Sequence, residues 1–318
     1  MANEILGQLS YATLFDESTW GTTPGSPPYV YCPVSGYDVK FKADSRQANP
    51  YLGIFQRKHN KNFRGMPGGG FTLPAWSYWI DSAGGSSPDM SLTEYILSWA
   101  YDNLDSTYLT SKGCQWAEGP NVANLQHNGL RVNSCALSGS ADAGVVAIAL
   151  DLMGMSEATF STAQAIPDDM EGLVDFDFAD AILTVNSAVI EMENFNLGLS
   201  NGLKAKYRSS ANPSLMPRTT TAIDFSWSLI KNSDTYALAL RTLATSTEYD
   251  IQLQLVGSHN GTGSSGTNTT ILIDMPRCSL INPDDGRTKE DFTQTNIQTM
   301  VLKPDSSEDS INFTYGVA

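Results

Sequence analysis

The sequence predicts a mainly β protein built from two tandem β-sandwich or open-barrel domains, each with one flanking α-helix. Three observations support this fold class. Apolar and polar residues alternate in several runs, such as Val146–Leu152 and Ile251–Leu255, and this period of two is typical of strands with one buried face. The motif order of the first half recurs about 150 residues later. Only 17% of the residues are charged, whereas about 25% is usual, and this composition suits β-sheet and loop surfaces better than helical ones.

The repeat consists of a short strand, a basic stretch, a Met-Pro pair and a strand that ends at a tryptophan. Its landmarks are Tyr37–Phe41, Met66, Pro67 and Trp76 in the first half, and Asn196–Leu199, Met216, Pro217 and Trp227 in the second. Duplicated units of this kind present similar surfaces twice, around an axis or along an array. The repeat therefore indicates a building block.

The chain divides into an arm and two domains. Residues 1–30 are rich in proline and turn residues, which predicts an extended or irregular N-terminal arm. The first domain is expected at 31–157. The second, which includes the C-terminal strands, is expected at 158–318. A turn-rich connector at Ala165–Asp169 marks the boundary region.

Each half contains one predicted helix. Ser91 and Glu94 form a capping box, in which each side chain can accept a hydrogen bond from a free backbone N–H. In the second half, Asp234 can cap a helix that places Leu240 and Leu243 on one face. Both helices follow the strand that contains the repeated tryptophan.

The charge and the cysteines limit the possible functions. A formal net charge of −15 argues against a sequence-reading nucleic-acid binder, which needs a basic face, but it is compatible with a conduit whose wall repels a polyanion. The four cysteines show no C-x-x-C spacing, and this favours buried free thiols over a zinc site or a disulfide framework. No apolar run approaches the ~20 residues of a transmembrane helix, so we expect no membrane partner.

The sequence predicts neither an enzyme nor a metal or cofactor site. The three histidines (His59, His127 and His259) lie in polar, loop-like contexts. Ser138–Asp142 lacks the Gly-x-Ser-x-Gly elbow and favours a hairpin turn. Gly68–Gly70 lacks the lysine of a phosphate-binding loop and favours a bend or bulge where backbones crowd. The tryptophans could line a carbohydrate site, although their pattern favours core packing.

Five motifs carry a family resemblance that covers about residues 15 to 315. They are Thr19-Trp20-Gly21-Thr22-x-Pro24, Pro33–Val39, Leu150–Gly154, Phe195–Gly202 and Ile271–Cys278. In their order these motifs resemble the tail tube (major tail) proteins of long-tailed bacteriophages, in particular the two-domain type.

The resemblance implies a structural virion protein with two tail-tube-like domains. Two-domain members form trimers whose six domains imitate a hexameric ring, and their inner strands close into one barrel. The rings stack into a hollow tube in the phage tail, assembled in the host cytoplasm, through which DNA passes without specific binding. The implied partners are further copies of the chain and other tail proteins, such as the tape measure, distal tail and tail terminator proteins. The alternative is a capsid-decorating or carbohydrate-binding virion β-protein.

Two clusters of charge are candidate contact sites between rings or subunits. The basic stretch 57–64 and its counterpart 204–208 are interpreted as loops that reach the next ring, although a solvated basic loop is the simpler alternative. The full set of candidate interaction residues is Trp20, Arg57, Lys58, Lys61, Arg64, Lys204, Lys206, Arg208, Ile311 and Phe313. An acidic lumen wall or interface is expected from Asp168, Asp169, Glu171, Asp175 and Asp177, which belong to an acidic cluster that continues to Asp180. A divalent-cation site among these carboxylates is a weaker alternative, because their spacing matches no calcium loop.

Overall fold

The mainly β class is confirmed by a computed structural model. It describes residues 11–25, 28–48, 59–82, 89–102, 104–117, 124–160, 174–230, 248–258, 268–285, 294–303 and 309–317. Seventeen strands join in one sheet and two more form a short hairpin. The strands are β1 (Tyr11–Asp16), β2 (Val30–Cys32), β3 (Gly36–Tyr37), β4 (Lys40–Ala48), β5 (His59–Pro74), β6 (Trp79–Ile80), β7 (Met90–Ser91), β8 (Lys112–Ala117), β9 (Asn124–Ser140), β10 (Val146–Met153), β11 (Ser156–Phe160), β12 (Ile182–Val185), β13 (Ala188–Ile190), β14 (Asn194–Ser200), β15 (Ala222–Ile230), β16 (Tyr249–Ser258), β17 (Asn268–Asp285), β18 (Gln294–Val301) and β19 (Asn312–Val317).

The alternating runs form strands with one buried face, as predicted. In β10, Ile148 and Leu150 are buried while Ala149 is exposed. In β16, Ile251 and Leu253 are fully buried. These apolar faces form the core, where each strand gains roughly 25 cal/mol for every Å² of apolar surface removed from water.

The first predicted helix is present as α1 (Leu92–Tyr101). The Ser91 hydroxyl accepts a hydrogen bond from the Glu94 backbone N–H at 3.1 Å, so the predicted cap is formed. Ile96 and Trp99 are buried on the inner face of the helix. The second predicted helix, capped by Asp234, lies outside the described residues. In the part of the chain that the structure describes, no helix has both the length and the apolar character needed to cross a membrane.

The order of strand pairings in the first half is repeated in the second. In the first half β1 pairs with β2 and β8, β9 pairs with β8, β10 and β11, and β5 pairs with β4 and β10. In the second half β12 pairs with β13 and β16, β17 pairs with β16, β18 and β19, and β15 pairs with β14 and β18. Strands β1, β2, β4, β5, β8, β9, β10 and β11 therefore correspond in chain order to β12–β19.

The two halves are joined edge to edge by one strand pair. Strand β14 runs antiparallel to the C-terminal part of β9, from Asn194 opposite Ser140 to Ser200 opposite Ser134. This junction creates a central sheet of eight strands in the order β4-β5-β10-β9-β14-β15-β18-β17. One face of this sheet covers the core. The other face, called the polar face below, carries mainly small and polar residues, and Met66 and Met153 pack on it against Leu203 and Met216.

All four cysteines are buried free thiols, as predicted. Burial raises the pKa of Cys114, Cys135 and Cys278 to about 12 in each case. Such thiols remain protonated at neutral pH and act as small apolar side chains.

The prediction that the stretch 57–64 is a loop is wrong for its described part. Residues from His59 onward belong to β5 and pair with β4 as far as Ala48 opposite His59. This strand extension is rich in polar residues, so it lacks the apolar alternation by which a strand is recognised in a sequence. Arg57 and Lys58 lie outside the described residues.

The glycine run was predicted to allow a bend or bulge where backbones crowd, and only the crowding is confirmed. Residues Gly68–Gly70 keep an unbroken register with β10. A Cβ atom on Gly69 would lie 2.0 Å from the carbonyl oxygen of Asp38. The glycine therefore allows the segment before β4 to lie close to β5.

Candidate assembly interface

The structure brings the two basic stretches together on one surface. The Arg64 guanidinium lies 5.0 Å from the ring centroid of Tyr207, and the backbone N–H of Gly65 donates to the Ala211 carbonyl at 3.1 Å. Lys204, Lys206 and Arg208 are exposed beside this contact. We call the surface formed by Arg64 and residues 204–208 the basic end. Lys61, also predicted to interact, lies in β5, in the strand extension that precedes Arg64.

The exposed cations of the basic end are on a connector that is tied to the sheet. The connector joins β14 to β15 and folds back on itself through bridges between Leu203 and Arg218 and between Lys206 and Leu215. Buried Arg131 on β9 donates from Nη1 to the Met216 carbonyl at 2.9 Å. The backbone that carries these cations is therefore anchored to the sheet before any partner binds.

Trp20, predicted as an interaction residue, makes contacts within its own chain. Its indole N–H donates to the Gly129 carbonyl at 2.9 Å, and the Arg131 guanidinium lies 4.6 Å from its ring centroid. Glu17 supports the same turn, because its carboxylate accepts from the backbone N–H of Gly129 at 2.8 Å. The role of Trp20 between subunits stays a prediction. Sequence reasoning missed Arg131 and Glu17, since an isolated charge in a strand or turn gives no local signal of burial.

The C-terminal strand also packs within the chain. Strand β19 pairs with β17, Ile311 is buried, and the Phe313 ring lies 4.9 Å from that of Tyr101. Both Ile311 and Phe313 therefore stabilise the fold, and their contacts with a neighbouring copy stay a prediction.

Two residues of the predicted acidic set, Asp175 and Asp177, are described by the structure and lie in a second surface. Asp175 is half-buried, whereas Asp177 is exposed and accepts a hydrogen bond from the Ala179 N–H at 3.0 Å, which caps a short 3-10 turn. Phe176 and Phe178, which alternate with these two aspartates, are buried, so the predicted alternation is confirmed. Asp168, Asp169 and Glu171 lie outside the described residues.

This acidic surface extends the predicted acidic cluster, which ends at Asp180, by Asp142 and Glu191, which were not predicted. Asp142, Asp180 and Glu191 are exposed near Asp177. Ile182 and Val189, whose exposed fractions are 40% and 72%, border a concave region of about 440 Å³. We call this surface the acidic end; it consists of Asp142, Asp177, Asp180, Ile182, Val189 and Glu191. Its apolar residues were not predicted because their strands are too short to show a face in the sequence.

The basic and acidic ends lie at opposite ends of the same strands. The Val146 N–H donates to the Phe176 carbonyl at 3.0 Å, which places the start of β10 at the acidic end. Met153, the last residue of β10, pairs with Gly68 and Arg131 close to the basic end. The eight residues of β10 span roughly 23 Å at the usual rise per residue. A subunit with this arrangement has opposite charges at its two ends.

His127 was predicted in a polar loop, and this prediction is wrong. It lies in β9 and is fully buried. Its Nδ1 lies 2.6 Å from the Tyr37 hydroxyl and its Nε2 lies 2.9 Å from a Glu157 carboxylate oxygen. Burial lowers the pKa of His127, and the hydrogen bond with Glu157 opposes this shift in part. The neutral ring, with Nε2–H donating to Glu157 and Nδ1 accepting from Tyr37, satisfies both contacts.

Comparisons with known proteins identify a family for the chain as a whole. In the described residues, no group of three or more His, Cys, Asp or Glu side chains is placed to hold a metal ion. A comparison with curated proteins found no match. The family model for the phage tail tube protein matches residues 6–297, nearly the whole chain. The chain therefore belongs to the phage tail tube protein family, whose members are structural components of the virion tail.

Proposed function

We propose that this protein assembles into stacked trimeric, pseudo-hexameric rings that form the hollow tail tube through which phage DNA passes during ejection. The repeated order of strand pairings is the observation that carries the proposal, together with the edge-to-edge junction of β9 and β14. Two similar units joined in this way supply neighbouring arcs of a ring. Each unit is proposed to be a tail-tube-like sandwich domain with a flanking helix. The division into an arm 1–30 and domains 31–157 and 158–318 stays a proposal with two changes: the first unit includes β1 within the predicted arm, because β1 pairs with β2 and β8, and it extends to Phe160, because β11 pairs with β9.

The dimensions of such a ring suit a conduit. Eight strands from each of three copies give a wall of 24 strands. At the usual strand spacing and a tilt near 40°, a closed barrel of this size has a backbone diameter of roughly 48 Å. Such a barrel encloses a channel with room for a DNA duplex.

The polar face of the central sheet is proposed to line the channel. On β9 and β14 it carries small uncharged residues, such as Ser138 and Asn196. Asp151 and Asp224 add negative charge on neighbouring strands, whereas Lys40 and Lys42 are confined to the edge strand β4. A surface with few cations forms few phosphate contacts, so DNA can slide along it without adhering.

The opposite charges of the two ends favour head-to-tail stacking of rings. Cations at the basic end of one ring are proposed to meet carboxylates at the acidic end of the next. The exposed Ile182 and Val189 are proposed to be covered by the same contact. An isolated surface ion pair is worth at most about 1 kcal/mol, but many such pairs around a ring act together and fix its orientation. The other proposed partners are the tape measure, distal tail and tail terminator proteins.

A capsid-decorating or carbohydrate-binding role receives less support. All six tryptophans are described, and each is buried or half-buried. Trp76 donates its indole N–H to the Pro33 carbonyl, and Trp79 donates to the Thr269 hydroxyl. These side chains are used within the fold, so they do not form an open stacking platform for a sugar.

Electron microscopy of the purified protein tests the proposal. We expect negatively stained samples to contain tubes or stacked rings with a threefold or pseudo-sixfold cross-section. Discrete globular oligomers at every protein concentration tested, without rings, would contradict it. Affinity for glycans in such oligomers would instead support the alternative.

A further inference from the structure

We infer that the ring closes by antiparallel pairing between β4 of one copy and the C-terminal part of β17 of the next, with Lys40 opposite Asp284. The inference rests on the proposed ring assembly, and it identifies the two edges and their register. The partner is therefore a second copy of this chain.

The two edges correspond to the two strands that already pair inside the chain. By the repeated pairing order, β4 corresponds to β14 and the C-terminal part of β17 corresponds to that of β9. Strand β14 pairs with β9. In the described residues, β4 pairs only with β5, and the segment Ser279–Asp285 of β17 pairs only with β18. An open strand edge exposes N–H and C=O groups that can bind a further strand; in the β17 segment Pro283 offers only its C=O.

Two irregularities fix how β9 and β17 correspond. In β9, the stretch from His127 to Leu130 faces a shorter stretch of β8, and Asn133 is an extra residue opposite β10. In β17, the stretch from Met275 to Cys278 faces a shorter stretch of β16, and Ile281 is an extra residue opposite β18. Both matches give the same offset of 148 positions in the sequence. The two strands therefore correspond without a gap.

Rows of paired residues across the sheet then fix how β4 and β14 correspond. The row in the first half is Lys40, Gly68, Met153 and Arg131, and the row in the second half is Gly198, Asp224, Met300 and Ser279. Since Arg131 corresponds to Ser279, Lys40 corresponds to Gly198. Inside the chain Gly198 lies opposite Ala136, and the residue that corresponds to Ala136 is Asp284.

Exposed apolar residues at the two open edges support this pairing. Phe41 corresponds to Leu199, which is 2% exposed where β9 lies beside it, whereas Phe41 is 41% exposed. Ile281, on the open edge of β17, is 53% exposed. The inferred register places Phe41 opposite Pro283 and Ala43 opposite Ile281. Pairing would therefore remove apolar surface from water at both edges.

The chemistry on the polar face is also compatible. The Lys40 side chain is largely exposed and contacts Asp38 at 2.7 Å. In the inferred register it stands opposite an acidic residue, and opposite charges directly across a strand pair are favourable. Lysines on an edge strand also discourage pairing with unsuitable partners.

A disulfide between the two edges tests the register. Directly opposite residues have Cα atoms about 4.5–5.5 Å apart, within the range that a disulfide bridges. We expect the double variant Lys40→Cys/Asp284→Cys, oxidised after assembly, to give covalent dimers and trimers on a denaturing gel, and reductant to remove them. Within one chain the two positions are separated by seven strand spacings, roughly 34 Å along the sheet. The bond can therefore form only between copies, and the buried native thiols do not compete.

Matched variants make the result decisive. The variant Lys40→Cys/Asn282→Cys is shifted by two residues, and we expect at least tenfold less covalent product. A 1:1 mixture of the single variants Lys40→Cys and Asp284→Cys should give mixed dimers and no trimers. Microscopy of each sample shows whether rings have formed, so it distinguishes an error in the register from an error in the proposed assembly. Rings without cross-linking, or with more product from the shifted pair, would overturn the register only. Absence of rings in the wild type would overturn the proposed assembly itself.

If the cysteine variants fail to form rings, a charge exchange provides the second test. We expect Lys40→Glu alone to impair ring formation and Lys40→Glu/Asp284→Lys to restore it. No recovery in the double variant would contradict the inferred pairing.

Discussion

Gly69 shows how closely two backbones approach in this fold. Its φ of +153° is one that other residues rarely adopt, and an added Cβ would lie 2.0 Å from the Asp38 carbonyl oxygen. Since the obstacle is backbone, it cannot move aside as a flexible side chain could. The neighbouring Gly70 is exposed, and an added Cβ would meet nothing within 4 Å.

We therefore expect Gly69→Ala to lower the free energy of unfolding by about 1–3 kcal/mol. Gly70→Ala is the matched control, and we expect a change within about 0.5 kcal/mol. Urea denaturation followed by tryptophan fluorescence measures both. Equal effects of the two substitutions would show that crowding at Gly69 has no special cost.

His127 links stability to pH through its burial. Its pKa is lowered in the folded state, mainly by desolvation, whereas the unfolded chain has the ordinary value of about 6.5. As the pH falls through that value the unfolded state binds a proton that the folded state resists, so stability falls. Above about pH 7 both states are neutral and the effect vanishes.

We expect the wild type to lose more stability than His127→Gln between pH 7 and pH 5. The comparison uses the slope against pH, so a uniform loss of stability in the variant does not affect it. Thermal unfolding of both proteins across this range provides the measurement. Parallel pH profiles would contradict a neutral, buried His127.

Among the described elements, β9 makes the most varied contacts. It pairs with β8, β10, β11 and β14, and its Arg131 side chain joins the connector to the N-terminal arm. Arg131 is 6% exposed, and burial lowers its pKa. Its planar guanidinium can stack on Trp20 while donating to the Met216 carbonyl, which an ammonium group does less well.

We expect Arg131→Met to destabilise the protein by about 2–4 kcal/mol, because it leaves the Met216 carbonyl and the Trp20 ring without their partner. Arg131→Lys should recover less than half of this loss. Arg208→Met, at an exposed arginine of the same connector, is the control and should change stability by less than about 0.5 kcal/mol. Denaturant unfolding tests this, and similar losses at both positions would contradict the anchoring role.

Elements with a local pattern could be predicted from the sequence. The alternation in β10 and β16 and the Ser91 cap of α1 depend on neighbouring residues, so each was visible. The polar extension of β5 was not, because its partner β4 determines it. The pairing of β9 with β14 could not be predicted either. It joins residues about 60 positions apart through backbone hydrogen bonds, which do not depend on a recognisable pattern of side chains.

At the scale of the whole molecule, the sequence revealed both charged stretches but not their placement. Lys204, Lys206 and Arg208 are near one end of the central strands, and Asp177 is at the other end. Only the fold determines this distance. Opposite ends of opposite sign allow a ring to stack on a copy of itself in one orientation, whereas two ends of the same sign would repel.

Charge reversal at one end at a time tests this polarity. We expect Lys204→Glu/Lys206→Glu/Arg208→Glu to form rings but few tubes, because both ends are then acidic. Asp142→Lys/Asp180→Lys/Glu191→Lys should behave in the same way with two basic ends; Asp177 is left intact because its carboxylate caps a turn. Light scattering and negative-stain microscopy report tube formation.

A mixture of the two variants separates stacking from a general loss of folding. Every contact in an alternating stack joins ends of opposite sign, so a 1:1 mixture should form tubes that neither variant forms alone. Tube formation by the mixture should weaken between 0.1 M and 1 M salt, since screening shortens the reach of charges from about 10 Å to about 3 Å. Normal tubes from either variant alone, or none from the mixture at low salt, would show that the charged ends do not direct the stacking of rings.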